Sequence, residues 1–200
     1  MITALPAPLR AFLPAGERRG APGRPRALPP GVAAELTDLA ARCIAVRSRI
    51  ATLEAALVTA TTPLPATAWL RSIPGLGPTL TAIMLAEVGD ITWFTKFSQL
   101  RKLAGLDIIR VQSGQWAGTA RISRCGRPLL RWALYQAALG ACRTPAWRAK
   151  RTALLTKRQG DPHAFFKTIV ELAAKLLRVI WGVWRSGRPY TAGQAGAPAA

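Results

Sequence analysis

The most apolar stretch of this 200-residue chain, Phe165 to Trp184, is long enough to raise the question of a membrane span. The polar residues around it answer that question. His163, Lys167, Glu171, Lys175 and Arg178 follow one another at steps of 4, 4, 4 and 3, which lays them in one stripe along a helix. Ile169, Leu172, Leu176, Val179, Ile180 and Val183 fill the rest of its surface. Such a helix buries its apolar side in a core and does not cross a bilayer. Other helices must then supply that core, and the spacing upstream is helical almost throughout. The expectation is an all-α fold: a long N-terminal helix, a helix-hairpin-helix and a small helical bundle.

Residues 1–31 do not contribute to it. They hold seven prolines, four glycines and five arginines with almost no aliphatic periodicity, and are expected to be a disordered basic segment. From Val32 the pattern changes. Leu36, Leu39, Ile44, Ile50, Leu53 and Leu57 recur at mostly helical spacing and predict a helix of about seven turns over residues 32–62. Its apolar side needs a partner, either the rest of the chain or a second copy, as in a coiled coil. Those six positions are not strictly heptad, but homo-oligomerisation through residues 32–62 is one expectation. Thr62-Pro63-Leu64-Pro65 ends the helix.

Residues 66–88 read as a short helix, a hairpin Ile73-Pro74-Gly75-Leu76-Gly77-Pro78, and a second helix. Gly75 and Gly77 let the backbone turn sharply and bring bare N–H groups to the start of the second helix. A helix N-terminus carries partial positive charge and unpaired donors, which suits a phosphate. The segment resembles the helix-hairpin-helix of DNA-binding proteins, a motif that reads phosphates and not base sequence. The plainer reading is a helical corner whose glycines serve close packing. Trp93, Phe94 and Phe97 follow as an expected aromatic plug between helices, and Lys96 to Ala104 reads as another short helix.

The next segment departs from helical spacing. Ile108-Ile109-Arg110-Val111 is strand-like, and Ser113-Gly114 and Gly118 are turn signals, so a loop or short hairpin is expected over residues 107–122. Pro128 then opens a helix to about Cys142, with Ser123 as a candidate cap. Arg121, Arg124, Arg127 and Arg131 are spaced 3, 3 and 4, which would make one basic ridge if all four were helical. Pro145 restarts a basic helix, ended by Gly160. The tail from residue 189 is expected to be disordered.

The charge says what such a chain meets. Twenty-eight Lys and Arg stand against nine Asp and Glu, a formal +19. Between Lys96 and Arg158 there are fourteen basic residues and one acid, Asp107. The default partner for that excess is nucleic acid, bound with a steep dependence on salt. Cys43, Cys125 and Cys142 are scattered, and His163 is the one histidine, so no metal site and no disulfide framework are expected. Prolines interrupt the first sixteen residues where a secretion signal needs an apolar run. A cytoplasmic, nucleoid-associated location is the expectation.

Several small motifs stand in one order. They are Ile73-Pro74-Gly75-Leu76-Gly77-Pro78, Glu87-Val88-Gly89-Asp90, Phe94, Gln99-Leu100, Ala104-Gly105-Leu106, Gln112-Ser113-Gly114, Ile122-Ser123-Arg124-Cys125-Gly126, Leu130-Arg131 and Lys175-Leu176-Leu177. This order resembles the C-terminal domain of the IS110/IS116/IS902 family of transposases, over roughly residues 32–190. The domain itself is placed at 66–188. The resemblance implies a recombinase that inserts an element by DNA strand exchange. It also implies that a RuvC-like N-terminal domain, whose acidic cluster binds magnesium, works with this one. A guide RNA bridging donor and target DNA is a further implied partner.

The resemblance assigns a nucleophilic serine to Ser113. A serine that attacks a phosphodiester keeps the bond energy in a phosphoserine link, so rejoining needs no ATP. Arg110, Arg121 or Arg124 would offset the charge that builds. Ser-Gly is also an ordinary turn pair, and Ser123 is the competing nucleophile. The departure is in the acids: residues 1–31 hold one, Glu17, and the others are scattered. No cofactor is expected in this chain, magnesium belonging to the RuvC-like partner. A truncated or split copy is the expectation, and a non-catalytic nucleic-acid-binding module or relic is the alternative.

Overall fold

The computed structural model describes residues 30–109, 121–191 and the backbone of 112–113 and 116–117. The expectations for residues 1–29, Arg110, Gly114, Gly118 and 192–200 fall outside the described residues. The chain divides into two units, residues 1–53 and 54–200.

The first long helix, α1, runs Pro30–Thr61. From Gly31 to Ala56 every residue is exposed except the half-buried Ala40. The proline at position 65 explains how the helix stops. The Thr61 carbonyl would next accept the N–H of residue 65, and Pro65 has none. Leu64 N–H (3.1 Å) and the Thr67 hydroxyl (2.5 Å) take that carbonyl and close the corner.

The second unit is helical, with α2 (Pro65–Arg71), α3 (Pro78–Val88), α4 (Phe97–Leu103), α5 (Pro128–Ala141), α6 (Pro145–Thr156) and α7 (Ala164–Ser186). Four of these begin on proline, whose missing N–H costs nothing in a first turn. Helix α7 is the centre of the core, as its polar stripe implies. Ile169, Leu172, Leu176 and Leu177 are fully buried, while Lys175 and Arg178 face water. Helix α5 presents Ala133, Ala137, Ala138 and Ala141 to the same core. Small residues on that side let neighbouring backbones come close, which matters below.

Within residues 107–122 the described residues form two antiparallel ladders. β1 (Ile108–Ile109) pairs with β4 (Arg121–Ile122), and β2 (Gln112–Ser113) with β3 (Trp116–Ala117). Ile108 stands opposite Ile122, and Gln112 opposite Ala117, so the register shifts by one residue between the ladders. Arg101 holds the root of the hairpin through Asp107 at 2.6 Å.

Two expectations need correction. Trp93 is 74% exposed and lies over Gly89 instead of plugging the core. It belongs to a one-turn 3-10 helix, Ile91–Trp93, whose buried residue is Ile91. Phe94 and Phe97 do pack against the core, Phe97 with Trp181 at 6.0 Å between ring centroids. The arginine ridge also fails. Arg121 is in a strand, Arg124 in a left-handed turn (φ 56), and Arg127 just ahead of α5, which leaves Arg131 alone on the helix. Among the described residues no helix is long and apolar enough to cross a membrane.

Candidate nucleic-acid interface

The turn between α2 and α3 is shaped by one close approach. Gly75 has φ 89, and a Cβ there would collide with the Ala137 carbonyl and the Ala141 amide of α5. Only glycine satisfies both conditions. Gly77 differs. It is extended (φ −76), caps α3 with no side-chain hydrogen bond, and meets nothing within 4 Å. Pro78 has no N–H, so the Thr79 and Leu80 amides are the donors at this end of the helix.

Around this turn lies a groove of about 690 Å³. Its walls are residues 72–77, Leu80, and Gln136, Leu139 and Gly140 of α5. Two arginines line it too, Arg71 at the end of α2 and Arg143 just beyond α5, both exposed. These two arginines line this concave surface beside the start of α3, and no carboxylate lines it. Arg148 of α6 is tied to this edge, since its Nη2 donates to the Arg143 carbonyl at 3.0 Å.

The predicted residues therefore separate. Gly75 and Gly77 shape the groove, and none of the described arginines proposed from sequence lines it. Arg127 Nη1 donates to the Glu87 carbonyl at 2.7 Å and sits 3.7 Å from the Glu87 carboxylate. Arg131 Nη1 donates to the Ala104 and Arg124 carbonyls, each at 3.3 Å. These two clip α5 to the ends of α3 and α4. Arg121 and Arg124 are exposed at the base of the hairpin.

The two serines also separate. Ser113 is in β2 opposite Trp116, with its side chain outside the described set. Ser123 does not cap α5. Its N–H donates to the Asp107 carbonyl at 2.7 Å, its Oγ is buried with no partner, and Arg127 occupies the cap position.

Sequence reasoning missed Arg71 as a site residue and counted Arg143 only as part of a charge total. The signal for Arg71 was its place directly before the glycine hairpin. For Arg143 no local signal exists, because its nearness depends on Gly140 packing against Gly75.

Among the described residues no group of three His, Cys, Asp or Glu side chains could hold a metal ion. The described residues thus do not fit a magnesium site. Burial pushes the Cys142 thiol up, away from thiolate character.

Residues 67–153 match the family model Transposase IS116/IS110/IS902 family. The insertion element IS116 uncharacterized 44.8 kDa protein of Streptomyces clavuligerus is 30% identical over 122 residues, which is 61% of this chain and 30% of that protein. The chain thus spans less than a third of the relative's length.

Proposed function

We propose that this chain, which carries an IS116/IS110/IS902 family transposase domain over residues 67–153, holds nucleic-acid phosphates in the groove between α2 and α5 and uses Ser113 as the nucleophile of strand exchange. The observation that carries the binding half is the pairing of Arg71 and Arg143 with the uncapped N-terminus of α3 in one acid-free groove. The arrangement resembles a helix-hairpin-helix. It recognises backbone, so the partner is DNA, with RNA competing through the same phosphates.

For the chemical half, Ser113 Oγ gives up its proton and forms a bond to phosphorus. The phosphorus bond to the leaving sugar oxygen breaks, and that oxygen takes up a proton. The phosphodiester count is unchanged, so the reverse attack rejoins the strand. The family resemblance supports this role. In this reading a RuvC-like domain supplies the metal-dependent step, as the family resemblance implies.

The experiment is incubation of the chain with element-end DNA, RNA and a RuvC-like domain, followed by denaturation. A covalent protein–DNA adduct is expected, and its persistence in Ser113→Ala would exclude this serine. A second reading, a binding module with no chemistry, draws on Arg127 and Arg131 being tied to protein carbonyls. It predicts salt-sensitive binding and no adduct under any condition.

A further inference from the structure

Helix α5 keeps two large apolar side chains in water. Leu129 is 47% exposed and Trp132 is 48% exposed, on a helix whose other side buries Leu130, Leu134 and Ala138. They are not scattered surface. Leu129, Trp132, Gln136 and Leu139 follow one another at steps of 3, 4 and 3, and a further step of 4 reaches Arg143 just past the helix end. These spacings make one stripe along α5. Its far half, Gln136, Leu139 and Arg143, is a wall of the groove beside the α2–α3 turn. At a rise of about 1.5 Å per residue, Trp132 stands about 6 Å along the axis before Gln136, outside the groove and in line with it.

We infer that this stripe takes a single-stranded segment of DNA, with phosphates at Arg71 and Arg143 and an unpaired base stacked on Trp132. This rests on the proposed phosphate role of the groove and extends it from a point contact to a track. The charge selects a polyanion over an apolar protein partner. Exposed Arg121 and Arg124 precede the stripe, exposed Arg143 and Arg148 follow it, and no Asp or Glu occurs between Asp107 and Asp161. The indole selects the strand state. In a duplex only base edges are open to a side chain, and an indole has a single N–H with which to read one. A single strand can turn its bases outward, and each base then offers a π-face that a tryptophan covers. Between Trp132 and Arg143 the stripe has one hydrogen-bonding side chain, Gln136, so little there rewards a ribose 2′-hydroxyl.

The test is fluorescence anisotropy of the full chain with labelled oligonucleotides of roughly 12 nucleotides in one sequence, as single-stranded DNA, duplex DNA and RNA. Trp132→Ala is expected to weaken binding of the single-stranded DNA about tenfold or more, and of the duplex less than about twofold. Trp132→Phe should retain most of the affinity. Both variants should keep the parent's salt slope, because the indole contacts a base and not a phosphate, and its melt, because Trp132 is exposed. Equal losses on single strand and duplex, or none on either, overturn the stacking role. A loss confined to the RNA overturns DNA as the occupant. The arginines decide the premise separately. If Arg71→Gln combined with Arg143→Gln leaves the salt slope unchanged, the groove reading fails. If that pair lowers the slope while Trp132→Ala is silent, the stacking site alone fails.

Discussion

Gly75 and Gly140 meet backbone to backbone: a Cβ on Gly140 would lie 3.0 Å from the Gly75 Cα. This contact seats the α2–α3 turn on α5, and the groove exists because of it. Gly140→Ala gains about 1 kcal/mol of helix propensity and loses more to overpacking, roughly 1–3 kcal/mol. A net loss of about 1 kcal/mol in thermal or urea unfolding is expected. Gly75→Ala combines a left-handed backbone with a collision against the Ala137 carbonyl and should cost more than about 3 kcal/mol. Gly77→Ala enters open space at a negative φ and should stay within about 1 kcal/mol of the parent. If Gly75→Ala unfolds like the parent, the packing described for the turn is wrong.

Arg71 and Arg143 should behave as phosphate contacts. Arg71→Gln and Arg143→Gln are each expected to weaken nucleic-acid binding across unrelated sequences. Each should also lower the slope of log affinity against log salt by about 1, with little change in melting temperature. Fluorescence anisotropy over a salt series measures both quantities. An unchanged slope in the double variant removes the groove from the binding surface.

Arg131 should behave in the opposite way. Its guanidinium joins the Ala104 carbonyl at the end of α4 to the Arg124 carbonyl in the segment between β4 and α5. Arg131→Gln should cost about 1–2 kcal/mol of stability and leave the salt slope alone. Arg131→Lys should not restore stability, since one ammonium does not reproduce the planar fork. A salt slope that falls in Arg131→Gln would mark it as a phosphate contact after all.

The contrast between these arginines shows what was legible in the sequence. Helix positions were, because prolines at 65, 78, 128 and 145 mark starts and the 163–178 stripe orients the core helix. The hairpin was, through Ser113-Gly114. The partners of each arginine were not. Arg127 and Arg131 are identical in type to Arg71 and Arg143, and only tertiary neighbours distinguish a clip from a phosphate contact. Ser123 was misread for the same reason: its spacing suited a cap, yet the chain turns at Arg124 and Gly126 before α5 begins.

The turn between α6 and α7 gives a pH dependence whose sign is fixed. Glu171 takes Arg158 at 2.6 Å and Lys175 at 2.8 Å. Burial alone would raise its carboxyl, but the hydrogen bonds from Lys175 and Arg158 outweigh that and hold it below its ordinary value of 4.5. Asp161 accepts from Lys167 and from the His163 N–H, in that order of effect, and lies below its ordinary 3.8. A carboxyl depressed in the folded state contributes fully above its unfolded value, and the contribution is lost as pH falls through the folded one. Stability from this turn should thus be constant near neutrality and decline once pH drops below about 4.5 for Glu171 and lower for Asp161. Glu171→Gln should lower stability at pH 7 by about 1 kcal/mol or less, as for a partly exposed ion pair. The difference between parent and variant should shrink toward zero on acidification. A difference that grows as pH falls, in melts recorded across that range, contradicts the assignment of Glu171 as the charged partner.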